Sequence, residues 1–226
     1  MNPKVHPESG TPGTRVAASV VLLSPMAVIA VGYVVAIVSK RTLDPGMAWL
    51  PPMIAYWLSL ALAIAGFRGF SEFHGWLRPS AGVWGWRALS LINPIMIAVP
   101  SILFFQSLTV LPLWRAVAWL AIVVLNPMVE EGYWRATLMD SARKWAGPAV
   151  VAYSALWFGL SHPLIIGINI SLVAGVMGFV GTFINGLVWS VVYYRTRSLR
   201  WCIISHVFAN VFSIAIFLDL LRIAPP

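Results

Sequence analysis

The chain has 226 residues, of which 60% are hydrophobic and only 10% are charged, and its mean hydropathy is +0.85. Soluble domains carry about 25% charged residues, so this composition excludes an ordinary water-soluble domain. The single cysteine, Cys202, excludes an intrachain disulfide and a cysteine-based metal cluster. The net charge of +8 does not indicate nucleic acid as a partner, because the basic residues lie in short groups between apolar runs, where membrane proteins carry their orientation signals.

The apolar runs predict an all-α, polytopic transmembrane bundle of about seven helices, within a range of six to eight. At about 20 residues per crossing, the helices are predicted at 16–38, 47–66, 88–105, 114–139, 149–163, 168–194 and 201–221. The first run is longer than the apolar core of a signal peptide, roughly 7 to 15 residues, so we interpret it as a helix. Four glycines in the sixth helix predict either close helix packing or a break; they are Gly175, Gly178, Gly181 and Gly186.

Residues 1–15 are polar and rich in proline and glycine, which predicts a tail, and residues 16–226 are predicted to form a single transmembrane domain. Eleven of the 15 lysines and arginines fall in the tail, in the second, fourth and sixth loops or, in the case of Arg135, near the end of the helix that precedes the fourth loop. Because basic loops favour the cytoplasmic side, we expect a cytoplasmic N-terminus. The protein is therefore predicted to be an integral membrane protein with lipid as a partner.

Ionisable side chains inside apolar helices cost about 2.5 to 3.5 kcal/mol each on insertion scales, so they usually mark a functional cavity. The fourth predicted helix contains the adjacent glutamates Glu130 and Glu131, followed by Arg135. Arg135 lies four residues after Glu131, so these two side chains share a helical face and can pair. Glu130 points about 100° away and has no evident partner in its own helix, which makes it the freer carboxylate and the candidate proton acceptor.

Two other helices carry groups that complement this carboxylate. The fifth contains Phe158 and His162, and the seventh contains His206 and Asn210, which are four residues apart on one face. An imidazole and a carboxamide stacked in this way can hydrogen-bond the negative charge that develops on a carbonyl oxygen during acyl transfer. Each feature alone is equally compatible with simple packing between helices. Their joint occurrence favours an active site in a membrane cavity.

The rise per residue of an α-helix indicates whether Glu130, His162 and His206 can lie at the same depth in the membrane. At 1.5 Å per residue, Glu130 lies about 18 Å before the fourth loop, and His162 lies about 22 Å after it. His206 is only about 9 Å beyond Arg200. The seventh predicted helix must therefore begin deep in the bundle or tilt for the three helices to share a site.

The chain resembles the CPBP intramembrane proteases, through three motifs in a fixed order: Glu130-Glu131-x-x-x-Arg135, Phe158-x-x-x-His162 and His206-x-x-x-Asn210. That family includes CAAX prenyl endopeptidases and Abi-like proteins that process bacteriocins or give immunity to them. The resemblance covers residues 114–213, about half of the chain. The ordered triple is specific, although a single motif is not.

The resemblance implies a glutamate-dependent intramembrane endopeptidase with its catalytic core at about 114–213. In such a site Glu130 acts with His162 to activate a water, and His206 and Asn210 hold the oxyanion of the tetrahedral intermediate. The supporting residues are Glu131, Arg135 and Phe158. The length of the chain further implies a prokaryotic protein of the cell (inner) membrane.

The implied substrate is a peptide or protein with a membrane anchor, such as a prenyl or other lipid group, or with a C-terminal sorting segment. Two glutamates and two histidines also suit a divalent metal ion. The chain has no HExxH motif, however, and the family resemblance favours a site without metal. We therefore predict no cofactor.

Three alternatives stay open at this point. Ser161 with His206 faintly resembles the serine site of rhomboid proteases, although the expected GxSG reads GLSH here. Buried glutamate, arginine and histidine also build the proton relays of proton-coupled transporters. The third alternative is a non-catalytic immunity or scaffold protein.

Overall fold

The computed structural model describes residues 18–79, 84–101, 113–169 and 171–223. These residues form helices joined by turns and short connections, and they contain no β-strand. The all-α fold is therefore confirmed. The tail predicted for residues 1–15 lies outside the described residues.

Eight α-helices follow one another along the described chain: α1 (Ala18–Thr42), α2 (Leu50–Phe67), α3 (Phe73–Trp76), α4 (Trp84–Ser101), α5 (Leu113–Glu131), α6 (Gly147–Ile165), α7 (Leu172–Thr196) and α8 (Arg200–Ile223). Each of the seven predicted helices has a counterpart among the described residues, although residues 102–105 of the third lie outside them. The short α3 lies in the connection between the second and the third. Four of the described helices, α1, α2, α6 and α7, are long and apolar enough to cross a membrane. The helical membrane bundle is confirmed, and seven crossings remain a prediction.

The second, fourth and sixth predicted loops come together at one end of the bundle. The backbone N–H of Leu199 donates to the carbonyl of Trp76 at 2.8 Å. Arg197 Nη1 lies 3.2 Å from Asp140 Oδ1. Since these loops precede α4, α6 and α8, the three helices start from one end. The positive-inside pattern predicts that this end is cytoplasmic.

Helix α5 changes its winding directly after the two glutamates. The eight buried residues Gly132–Met139 form a π-helical segment instead of the regular α-helix predicted through residue 139. Side-chain hydroxyls bind three carbonyls of this segment: Thr137 Oγ1 donates to Gly132 O at 2.9 Å, Ser154 Oγ donates to Trp134 O at 2.8 Å, and Ser141 Oγ donates to Thr137 O at 2.8 Å. π-Helical turns are rare and occur frequently at functional sites.

Close packing of α6 on α7 depends on a glycine. A Cβ atom at Gly186 would lie 3.0 Å from Phe158 Cδ1 and 3.2 Å from Ala155 Cα, whereas Gly178 and Gly181 face open space. Helix α7 runs without interruption from Leu172 to Thr196. Of the two roles predicted for the glycines, close packing is correct at Gly186, and no break is present.

Replacing Gly186 with alanine is expected to lower the free energy of unfolding by about 1–3 kcal/mol, because the added methyl group overpacks the contact with the α6 backbone. Gly181→Ala is the matched control on the same helix, and we expect it to be neutral or to gain up to about 1 kcal/mol from helix propensity. Thermal unfolding in detergent micelles measures both variants. Equal stability of the two would contradict the role given to Gly186.

Candidate active site

The site is centred on an imidazole held between two carboxylates. His206 of α8 places Nδ1 at 2.8 Å from Glu131 Oε1 and Nε2 at 3.3 Å from Glu130 Oε2. All three side chains are buried, with 2% exposure for His206, 1% for Glu130 and none for Glu131. The structure therefore brings the first and third sequence motifs into direct contact.

Helix α8 begins against the buried connection that contains Trp76, although its first residue, Arg200, is exposed. Leu199, the residue before α8, is fully buried and bonded to the Trp76 carbonyl. Trp76 is itself buried, and its ring would lie 3.9 Å from a Cβ atom at Gly132, next to the glutamates. The sequence predicted that the last helix begins deep in the bundle or tilts; His206 does reach both glutamates, and which of the two arrangements allows it stays a prediction.

Both oxygens of Glu130 accept hydrogen bonds from neutral donors. Tyr56 Oη of α2 donates to Oε1 at 2.7 Å, and Asn126 Nδ2 donates to Oε2 at 2.7 Å. The expectation that Glu130 has no partner in its own helix, and is the freer of the two carboxylates, was therefore wrong. That expectation considered charged partners only, whereas the carboxamide of Asn126, four residues before Glu130 on the helix, reaches its carboxylate equally well.

Glu131 and Arg135 form the ion pair predicted from their spacing. Arg135 Nη1 lies 3.2 Å from Glu131 Oε1, and both side chains have no solvent exposure. The guanidinium carbon lies 4.3 Å from the centre of the Phe158 ring and 5.5 Å from that of Trp189. The aromatic faces and the carboxylate together compensate a charge that would otherwise be costly to bury.

The ring of Phe158 in α6 packs against the rings of both histidines. Its ring centre lies 4.8 Å from that of His162 and 6.1 Å from that of His206. His162 Nδ1 lies 3.0 Å from the carbonyl oxygen of Phe158. Since a carbonyl can only accept, this contact assigns the hydrogen to Nδ1 and leaves the Nε2 lone pair of a neutral ring available.

Asn210 lies one turn beyond His206 and also faces α5. Its Nδ2 donates to the backbone carbonyl of Ile122 at 3.2 Å. A carboxamide nitrogen carries two hydrogens, so this bond leaves one of them available to another acceptor. The predicted common face of His206 and Asn210 is thus directed towards α5, where Glu130 lies.

Four contributors to the site were not predicted from the sequence: Tyr56, Trp57, Asn126 and Trp134. Trp57 Nε1 donates to Asn126 Oδ1 at 2.7 Å, and Trp134 Nε1 donates to Tyr56 Oη at 2.9 Å. The signal for Tyr56 and Trp57 is their position near the middle of an apolar span, because tyrosine and tryptophan normally lie at membrane interfaces and need a polar partner when buried.

The described residues contain no group of three or more His, Cys, Asp or Glu side chains placed to hold a metal ion. In this arrangement each ring nitrogen of His206 faces a carboxylate oxygen. A site without metal remains a prediction, for which a chelation experiment is described below.

Residues 112–212 match the protein family described as Type II CAAX prenyl endopeptidase Rce1-like. This range includes all three motifs and nearly all of the predicted catalytic core. No curated protein and no solved structure matches the chain. The family resemblance predicted from the three motifs is confirmed.

Proposed function

We propose that the protein hydrolyses a peptide bond near the membrane surface in a lipid-anchored, prenylated or otherwise membrane-tethered substrate, because residues 112–212 match the Rce1-like family of CAAX prenyl endopeptidases. The match and the apolar helices indicate an integral membrane protein and, in general terms, a CAAX-type intramembrane endopeptidase. The observation that carries the proposal is the contact of His206 with both glutamates. This contact puts a proton acceptor beside a hydrogen-bond donor in one buried cluster.

Glu130 is the general base of the proposed reaction. Its carboxylate has about four lone-pair positions, and Tyr56, Asn126 and His206 face three of them. The remaining position accepts a hydrogen bond from a water molecule. This water transfers a proton to Glu130 as its oxygen attacks the substrate carbonyl, and the free Nε2 of His162 orients it.

His206 is the main oxyanion donor. Nε2 of His206 lies 3.3 Å from Glu130 Oε2, and because a carboxylate can only accept, the N–H at this position donates to Glu130 in the resting site. Once Glu130 has taken the proton of the water, it holds Nε2–H less strongly, so this hydrogen bond passes to the oxyanion. Asn210 donates its second amide hydrogen, and Glu130 returns its proton to the leaving amine.

The test is identification of the cleavage products. Membranes from cells that produce the wild type or Glu130→Ala are compared by mass spectrometry of newly formed peptide termini. We expect new C-termini of membrane-tethered peptides in the wild type only. An identical set of termini in both membranes would contradict the proposal, and proton-driven uptake by reconstituted vesicles without any cleavage would support the transporter alternative.

A metal chelator is expected to leave the cleavage rate within about two-fold of its untreated value, because the base, the orienting histidine and the oxyanion donors are all protein side chains. Initial rates are measured with and without 1,10-phenanthroline. The control is the same chelator saturated with zinc beforehand. Loss of activity that is restored by added metal would contradict the metal-free mechanism.

A further inference from the structure

Helix α2 reaches both oxygens of the Glu130 carboxylate. Tyr56 donates directly to Oε1 at 2.7 Å. Asn126 donates to Oε2 at 2.7 Å, and its own Oδ1 accepts from Trp57 Nε1 at 2.7 Å. Helix α2 lies outside the matched family range of 112–212, and it carries none of the three motifs.

The direction of the Tyr56 hydroxyl is set by its second partner. Trp134 Nε1 is a donor only, and it donates to Tyr56 Oη at 2.9 Å. An ionised carboxylate can only accept, so the single hydroxyl hydrogen of Tyr56 points to Glu130. The contact with Ser161 Oγ is longer, at 3.4 Å. Hydrogen bonds donated to a charged acceptor are about twice as strong as neutral ones.

Tyr56 is also rigidly placed. Its side chain is 2% exposed, and it belongs to the same buried core as Trp134 and Phe158. A donor fixed in this way holds the Glu130 carboxylate in one orientation, with Oε2 towards His206 at 3.3 Å. Without it, the carboxylate could rotate away from the water that it has to deprotonate.

We propose that Tyr56 is a positioning residue of the active site, and that Trp57 assists it by holding Asn126. The inference rests on the proposed function, because both residues act through Glu130. Tyr56 orients the proton acceptor and keeps its remaining lone pair directed to the water. Helix α2 is therefore part of the catalytic machinery.

Tyr56→Phe tests this proposal, since it removes the hydroxyl and keeps the ring that packs in the core. We expect kcat to fall by about 10- to 100-fold, with KM within about two-fold of the wild-type value, because the lost bond to a charged group acts on the chemical step. The substrate is a farnesylated peptide that ends in a CAAX sequence.

Tyr133→Phe is the matched control. Tyr133 is fully buried, and its hydroxyl lies 2.6 Å from Ser24 Oγ of α1 instead of contacting the glutamates. The Tyr133→Phe protein should retain kcat within about two-fold of the wild-type value. Loss of a buried tyrosine hydroxyl would then not by itself explain the lower kcat of Tyr56→Phe. Thermal unfolding of both variants shows whether they are folded to the same extent.

Trp57→Phe acts on the other oxygen of Glu130 and should lower kcat by about 3- to 10-fold; it decides the question should Tyr56→Phe not fold. Provided that Glu130→Gln is inactive in the same assay, wild-type kcat in a folded Tyr56→Phe protein would overturn the role of α2. If only Trp57→Phe folds, wild-type kcat in that variant would overturn it. Full activity of Glu130→Gln would instead overturn the role of Glu130 as the general base, and absence of cleavage by the wild type would overturn the proposed function itself.

Discussion

Replacement of Glu130 by glutamine is expected to lower kcat for peptide cleavage by about 10²- to 10⁴-fold, the usual contribution of a general base. Glutamine has nearly the shape of glutamate, so the packing around it is retained. Its carboxamide cannot take the proton of the attacking water. The rate is measured with purified protein and the farnesylated CAAX peptide.

Glu72→Gln is the control for this substitution, because Glu72 is exposed in the connection between α2 and α4. It should cleave at the wild-type rate. The opposite pattern, an active Glu130→Gln and an inactive Ser161→Ala, would favour a serine mechanism. Against that mechanism, the hydrogen bonds described for Ser161 lead to Phe158 and His162 and to the hydroxyl of Tyr56, and none of them leads to His206.

Replacement of Arg135 by leucine is expected to lower the free energy of unfolding by about 3–5 kcal/mol. Removal of one partner leaves Glu131 as a buried charge without its guanidinium, and it also empties the space between the rings of Phe158 and Trp189. Thermal unfolding in detergent and the amount of folded protein recovered from membranes measure the loss. Activity should be lost together with the fold.

Arg197→Leu is the matched control, because it breaks an ion pair at the surface of the bundle. Arg197 pairs with Asp140 at 3.2 Å, and its side chain is 47% exposed. Exposed pairs contribute about 0–1 kcal/mol, so this variant should unfold close to the wild-type temperature. An Arg135→Leu protein as stable as Arg197→Leu would show that the buried pair does not hold the core together.

The parts of the fold that depend on local pattern were predictable. Long apolar runs gave the seven helices, and a spacing of four residues gave the pairing of Glu131 with Arg135 and the common face of His206 and Asn210. These features depend on residues close in sequence, where helix geometry fixes the distances.

The remaining features depend on contacts between distant segments. Tyr56 lies 74 residues before Glu130 in the chain, and no periodicity links the two. The π-helical winding after Glu131 was likewise not predictable from hydropathy, since it leaves the apolar pattern unchanged. Asn126 could have been found, because its spacing to Glu130 equals that of the ion pair next to it.

Because Tyr56 of α2 hydrogen-bonds the Glu130 carboxylate, an active fragment of this protein would have to include α2. A piece cut at residue 112 would contain every motif residue, yet its key carboxylate would lose the phenol that orients it. Transplanting the recognisable segment into another helical bundle would therefore also require a donor at the matching depth. The segment that matches the family model is therefore shorter than the segment that holds the Glu130 carboxylate in place.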